Sequence, residues 1–161
     1  MKKKRKNIYL LVFLLLVLLA INYPILDKLV KDFLSDSEYG FIERVIDGDT
    51  IVINGTSIRL LGINSPEKGD EYYNEAKNFT EKTLTNMLVK LEKTKQDTDM
   101  YDRDLRYVFL DNTNINLELV ENGLANFYFP QGKDRYYNDF KKAWENCITK
   151  QINLCKSSSN K

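Results

Sequence analysis

The chain has 161 residues, 43% hydrophobic and 29% charged, a folding composition with room for one modest domain and an appendage. It contains no histidine, which excludes Ser-His-Asp and Cys-His catalysis and imidazole-based metal sites. The net charge of +1 is uneven: Lys2, Lys3, Lys4, Arg5 and Lys6 precede every acidic residue, and taking those five away leaves −4 for the remainder. So acidic a remainder is a poor generic polyanion binder, and an anionic polymer would need a local cleft of focused positive charge.

From the amino terminus, the basic residues lead into an unbroken apolar run from Ile8 to Ile21, interrupted only by the Tyr9 hydroxyl. This is the pattern of a secretory signal or an uncleaved signal anchor. As a helix the run spans roughly 21 Å against a hydrocarbon core of ~30 Å, and extension to Leu26 brings it to about 28 Å. Leu18-Leu19-Ala20 is a poor cleavage site, which favours an anchor over residues 1–26, with the rest of the chain outside the cytoplasm. Cleavage would instead give a secreted protein. Residues 27–40 are expected to be a polar, partly helical spacer.

Three short β-type stretches follow, Phe41–Ile46, Thr50–Ile53 and Ser57–Ile63, the last two joined by Asn54-Gly55, a type I′ hairpin signal. From Glu71 to Leu91 the period becomes helical, with Tyr72, Ala76, Phe79, Thr83, Met87 and Leu91 three or four apart. Lys90–Gln96 and Leu105–Leu110 are two further strand candidates. Asn116–Asn122 is expected to be a short helix with Gly123 just past its end. Tyr137, Phe140, Trp144, Cys147 and Ile148 mark a last amphipathic helix, and residues 156–161 a disordered tail. Cys147 and Cys155, an even pair in a chain with an export signal, suggest a disulfide; two free thiols are the alternative.

The chemistry concentrates in Asp47-Gly48-Asp49-Thr50, Arg59 and Asn64-Ser65-Pro66-Glu67. An Asp-rich turn supplies hard oxygens suited to a cation such as calcium. Arg59, within Ser57-Ile58-Arg59-Leu60-Leu61, faces away from Ile58 and Leu60, and a guanidinium suits phosphate because its planar fork grips two oxygens and stays charged. Glu67 follows a proline, where the dipole of a starting helix also favours a carboxylate.

In Val45-Ile46-Asp47-Gly48-Asp49-Thr50, Arg59-Leu60-Leu61-Gly62-Ile63-Asn64-Ser65-Pro66-Glu67, Tyr101-Asp102-Arg103 and Asn122-Gly123-Leu124-Ala125, the stretch from about Phe41 to Cys155 resembles the staphylococcal nuclease (thermonuclease) family. The resemblance implies an α+β fold, a five-stranded OB-type β-barrel with three α-helices, here preceded by an N-terminal hydrophobic helix. It also implies calcium-dependent endonucleolytic cleavage of DNA and RNA leaving 3′-phosphate ends, by a monomer. Asp49, Asn64 and the Ser65 carbonyl would then hold calcium, with Thr50 beside them and Asp47 behind or at the rim. Glu67 would be the general base, Arg59 and Arg103 the phosphate-contacting arginines, and Tyr101 a neighbour of the phosphate. Tyr128 or Phe129 would pack on a base. The family most often has Asp where this chain has Asn64, so weaker calcium binding is expected; Asp70 and Glu71 are possible compensating charges. Arg103 is flanked by Asp102 and Asp104, where glycine is common before it. Two other functions compete. One is a non-catalytic module of the same barrel binding nucleic acid or peptide at the cell surface. The other is a hydrolase with paired carboxylates, which leaves both arginines without a role.

Overall fold

The computed structural model describes residues 9, 11–20, 22–24, 27, 37–130 and 132–158. It divides into two units, Met1–Asp36 and Ser37–Lys161. In the first, residues 11–20 and 22–24 are helical, and among the described residues no helix is long and apolar enough to cross a membrane. Most of the expected polar spacer lies outside the described residues.

The second unit is α+β. Its strands are β1 (Ser37–Phe41), β2 (Arg44–Val45), β3 (Thr50–Ile53), β4 (Thr56–Leu60), β5 (Ile63–Asn64), β6 (Leu88–Glu92), β7 (Asp104–Leu110), β8 (Thr113–Asn114) and β9 (Asn126–Phe127). The helices are α1 (Tyr73–Leu84), α2 (Ile115–Glu121), α3 (Tyr137–Lys150) and the short α4 (Cys155–Ser158). The main sheet is mixed, in the order β1-β6-β7-β4-β3-β2, with β8 on β7 and a separate β5-β9 pair. All main-sheet pairings are antiparallel except β4 with β7, where Ile58, Arg59 and Leu60 register with Asp104, Leu105 and Arg106. The two end strands of that order, β1 and β2, are separated in the chain only by Ile42 and Glu43, so the ends of the sheet are drawn together.

Local rules explain most boundaries. Asn54 and Gly55 both have positive φ (49° and 75°), as a type I′ turn requires, and they join β3 to β4. Gly123 (φ 60°) follows the α2 cap residue Asn122, and a Cβ there would collide with the carbonyl of Ile152. The long helical period from Glu71 to Leu91 is broken at Leu84. Asn86 adopts the left-handed conformation (φ 60°), its N–H donates to Ile42 O (3.0 Å), and the chain turns into β6. Met87 and Leu91 fall at helical spacing by coincidence; Leu91 is buried in the sheet and Met87 is 43% exposed. β6 also ends early, at Glu92, because the chain leaves the sheet to build the loop 93–103. Ser37–Gly40 pairs with β6 rather than forming spacer, and Cys155–Ser158 is helical rather than disordered, while the last three residues lie outside the described ones.

The core includes Ile51, Ile58, Leu60 and Ile63 from β3–β5, Val89 and Leu91 from β6, Tyr107 and Val108 from β7, and Ile115, Leu119 and Phe140 from α2 and α3. One buried amide joins three elements: Asn116 Nδ2 donates to Leu61 O (2.9 Å) and Arg106 O (3.1 Å), and its Oδ1 accepts from Val108 N–H (2.9 Å). Three hydrogen bonds on one buried side chain fix α2 against the parallel β4–β7 pair. The expected disulfide is present, with Cys147 and Cys155 bonded so that the end of α3 is tied to α4.

Candidate active site

The turn 47–50 is held from three sides. Asp47 Oδ1 accepts from Asp49 N–H (3.1 Å), an Asx turn that shapes the loop. The Thr80 hydroxyl on α1 donates to Gly48 O (2.8 Å). A Cβ on Gly48 would lie 2.8 Å from Cβ of both Ala76 and Ser65, so only glycine lets the turn sit between α1 and the 64–66 segment.

Asp49 is thereby buried, at 5% exposure. Its Oδ2 meets the Arg59 Nη1 at 2.8 Å and accepts from the Ser65 N–H, and its Oδ1 accepts from the Thr50 hydroxyl (3.2 Å). Burial pushes its pKa up to about 6, against the opposing effects of Arg59 and the Ser65 N–H, with Asp47 adding to the rise. Arg59, on β4, follows the strand alternation as expected: Ile58 and Leu60 are buried in the core while its own side chain turns to the site, 12% exposed. Its guanidinium also donates to Leu60 O (3.2 Å), Ile63 O (3.1 Å) and Asn64 Oδ1 (2.9 Å).

Arg103 reaches the same place from the loop 93–103. Its Nε and Nη2 both lie 2.7 Å from Asp99 Oδ2, while Asp99 Oδ1 accepts from the N–H groups of Arg103 (3.0 Å) and Tyr101 (2.9 Å). Burial opposes ionisation of Asp99, but these hydrogen bonds outweigh it and hold the carboxyl below its ordinary range. The flanking aspartates do not pair with Arg103: Asp102 takes a left-handed turn (φ 60°) and Asp104 meets Arg106 at 3.2 Å. Tyr101 is 70% exposed, its ring 5.4 Å from the Arg103 guanidinium.

Arg59, Asn64, Tyr101, Arg103 and Tyr128 line one cleft of about 390 Å³, with Gln96, Asp99, Met100 and Pro130 among the other walls. Asp49 backs Arg59 without lining it. The other expected residues lie elsewhere. Glu67 sits on the exposed turn beyond Pro66, where its N–H donates to Asp70 Oδ2 (3.0 Å), and it is not among the lining groups. Asp70 is occupied in that turn, and neither it nor Glu71 reaches the cleft to compensate for Asn64. Of the Tyr128 and Phe129 alternatives, Tyr128 is half-exposed at the cleft, whereas the Phe129 ring packs against Phe127, Tyr137 and Phe140.

A family model described as staphylococcal nuclease homologue matches residues 57–157. The chain belongs to this family. It is 37% identical over 123 residues to the thermonuclease of Staphylococcus intermedius, covering 70% of this chain and 73% of that one. To the thermonuclease of Staphylococcus hyicus it is 36% identical over 110 residues, covering 62% and 65%. An uncharacterized endonuclease of Haemophilus influenzae is 30% identical over 120 residues, covering 70% and 64%. Nuclease chemistry in general is thus supported by family membership.

Sequence reasoning missed two residues that shape this family member's cleft. Asp99 grips Arg103; the spacing i, i+4 was its only signal. Arg106, buried on β7, donates through Nη1 to Asp97 Oδ1 (2.7 Å), Asp97 O (3.1 Å) and Leu105 O (3.0 Å), and lies 3.2 Å from Asp104 and 3.7 Å from Glu38. It therefore closes the base of the loop that carries Gln96, Asp99, Met100, Tyr101 and Arg103.

Proposed function

We propose that this chain is a calcium-dependent endonuclease that hydrolyses phosphodiester bonds of DNA and RNA and leaves 3′-phosphate ends. The observation that carries this reading is the convergence of Arg59 and Arg103 on one cleft, with the oxygens of Asp49 and Asn64 drawn to the same guanidinium. The two forks grip the non-bridging oxygens of one phosphate and stabilise charge that develops there, each exchanging an aspartate for the substrate. Glu67, exposed to water, takes the proton of the attacking water. Tyr101 borders the phosphate, and Tyr128 offers an exposed face to a base, whereas Phe129 supports the wall behind it.

The donor set fits a hard cation. Asp49 Oδ2 and Asn64 Oδ1 already meet one positive group at 2.8 and 2.9 Å, and the Ser65 carbonyl would complete the set. Among the described residues no group of three Asp, Glu, Cys or His is placed to hold a metal ion, so the site would rely on neutral oxygens and one carboxylate, a combination suited to weak, extracellular-range affinity. When bound, calcium adds positive charge beside the scissile phosphate and acidifies water.

Further parts of the reading concern architecture and place. The approach of β1 and β2 supports closure of the sheet as a five-stranded OB-type barrel. The basic residues 2–6 before the apolar run, and the Cys147–Cys155 bond, support an exported domain, either anchored in the cell membrane by residues 1–26 or secreted, and acting as a monomer. The test is incubation of the full chain with single-stranded DNA, with calcium or with a chelator. Cleavage to 3′-phosphate ends with calcium alone is expected; no cleavage at millimolar calcium overturns the reading.

One observation favours the second reading, a non-catalytic surface module binding nucleic acid or peptide: Glu67 stands outside the cleft lining. A wild-type protein that binds single-stranded DNA in calcium without cutting it would establish that module.

A further inference from the structure

The charge of the unit Ser37–Lys161 is partitioned. It holds seventeen Lys and Arg against twenty Asp and Glu, a net of −3. Five of the seventeen, Lys90, Lys93, Lys95, Lys133 and Arg135, fall in the stretches 90–95 and 133–135, whose only acidic residues are Glu92 and Asp134. Those two stretches carry +3, which leaves −6 for the rest of the unit.

The two stretches are neighbours in space and both lead out of the cleft. Arg135 Nη2 donates to Glu92 Oε2 (2.8 Å) and Lys93 O (3.4 Å), and the Tyr136 hydroxyl donates to Glu92 Oε2 (2.7 Å). Gln96 and Pro130 line the cleft; Lys95 immediately precedes the first, and Lys133 follows three residues after the second. Two walls therefore begin at the cleft and are bridged at Arg135–Glu92.

Their acidic residues are used internally. Glu92 takes up Lys90 (2.6 Å) as well as Arg135, and Asp134 accepts from the Tyr107 hydroxyl (2.6 Å) and the Tyr136 N–H (2.9 Å). Among the described residues Lys93, Lys95 and Lys133 make no ion pair; the Lys133 ammonium lies 5.0 Å from the Tyr137 ring centroid. The cleft shows the opposite arrangement, since Arg59 and Arg103 each sit on an aspartate. Uncommitted positive charge lies beside the cleft, which is itself only large enough for one small ligand-sized group.

We propose that Lys93, Lys95 and Lys133 form a phosphate-binding lane that receives the backbone of a polynucleotide as it leaves one side of the cleft. The proposal rests on the nuclease reading and extends it: the chain selects long strands over short ones, and does so through a local patch on an otherwise repulsive surface.

The test measures binding in chelator, without turnover, by fluorescence anisotropy of the full chain with two labelled single strands. One is a dinucleotide, the other roughly 12 nucleotides long, within the range covered by one barrel of the expected type. The variant is Lys93→Gln/Lys95→Gln/Lys133→Gln, and the control is Lys77→Gln/Lys82→Gln/Lys150→Gln, with the same net charge and none of its positions in the cleft lining. The basic residues 2–6 are common to all the proteins compared. The lane predicts that the first variant binds the long strand at least about tenfold more weakly at low salt. Its log–log salt dependence should become shallower by about 2, at ~0.7 per charge for a single strand. Dinucleotide binding should not change, and the control should match wild type. Equal losses on both strands, equal losses in both variants, or no loss at all overturns the lane. Wild type that binds the long strand through these lysines but cuts nothing when calcium is restored retains the lane and refutes the nuclease.

Discussion

Replacing Arg106 with methionine keeps much of the stem and removes the guanidinium that closes the 93–103 loop. The Arg106 side chain is 4% exposed, but its partners are unequally buried, with Asp97 at 59%, Glu38 at 49% and Asp104 at 29%. Breaking a fully buried pair costs about 3–5 kcal/mol because a charge is stranded. Here the stranded groups are carboxylates that can rehydrate, so the loss falls to that of charged hydrogen bonds, about 2 kcal/mol. For a unit of this size that lowers Tm by roughly 8 °C. The local effect should exceed the global one, because the loop base is then held only by backbone ties such as Leu105 N–H to Asp97 O (2.8 Å) and the Thr98–Asp104 bridge. Urea unfolding gives the first quantity, and the rate of tryptic cleavage after Lys93 and Lys95 under native conditions gives the second. The variant should be cut faster than its global unfolding permits. Its nuclease turnover should fall by about 10–100-fold, as misplacement of a phosphate clamp implies. Stability within about 0.5 kcal/mol of wild type, together with unchanged tryptic protection, would refute the assignment of Arg106 as the residue that sets this loop.

Glu67→Gln should reduce turnover by about 10²–10⁴-fold while sparing strand binding, as loss of a general base requires; undiminished cleavage removes Glu67 from the chemistry. Asp49 has a raised pKa of about 6, so the folded state holds this proton more tightly than the unfolded chain. Its stabilising contribution is complete below the ordinary carboxylate value and is lost as pH rises through about 6. Stability curves of wild type and Asp49→Asn in chelator should therefore shift in favour of the variant between pH 4 and 6 and run parallel above that; a shift of opposite sign contradicts the burial argument. Glu92 has a lowered pKa, burial being outweighed by hydrogen bonds from Lys90 and Tyr136 and by Arg135. Its contribution is present above the ordinary carboxylate value and lost as pH falls through the lowered one, so Glu92→Gln should destabilise at neutral pH and approach wild type in acid. Removing the disulfide as Cys147→Ala/Cys155→Ala should cost about 2–3 kcal/mol by the chain-entropy relation for so short a loop, measured by urea unfolding under non-reducing conditions.

What was legible in the sequence was whatever short-range chemistry determines. Asn54-Gly55 dictates its turn, Gly123 its helix end, and the alternation around Arg59 its direction, because each rests on backbone sterics within a few residues. The Glu71–Leu91 period misled because sheet residues three or four apart can mimic a helix, and the stop signal was a single asparagine in a left-handed conformation. The partners of the arginines were hidden for another reason. Asp49 reaches Arg59 through the β3–β4 hairpin, which sequence reading did anticipate, but Asp99 and Asp97 gain meaning only once the loop 93–103 is folded onto β7. Asp102 and Asp104 flank Arg103 in the sequence, yet its partner is Asp99, four residues away.

This pairing pattern bears on how the cleft can act. A guanidinium already satisfied by a carboxylate gains little from a ground-state phosphate, since one anion replaces another at similar distance. The exchange becomes favourable only where the incoming group carries more charge or presents a better bidentate geometry, as a phosphate does when charge builds on its equatorial oxygens during attack. On the proposed nuclease reading, Asp49 and Asp99 would suppress tight binding of substrate and product while leaving stabilisation of the transition state available. On that reading affinity for the polymer would come from outside the cleft, and the proposed lane of Lys93, Lys95 and Lys133 is where this chain carries the charge to supply it.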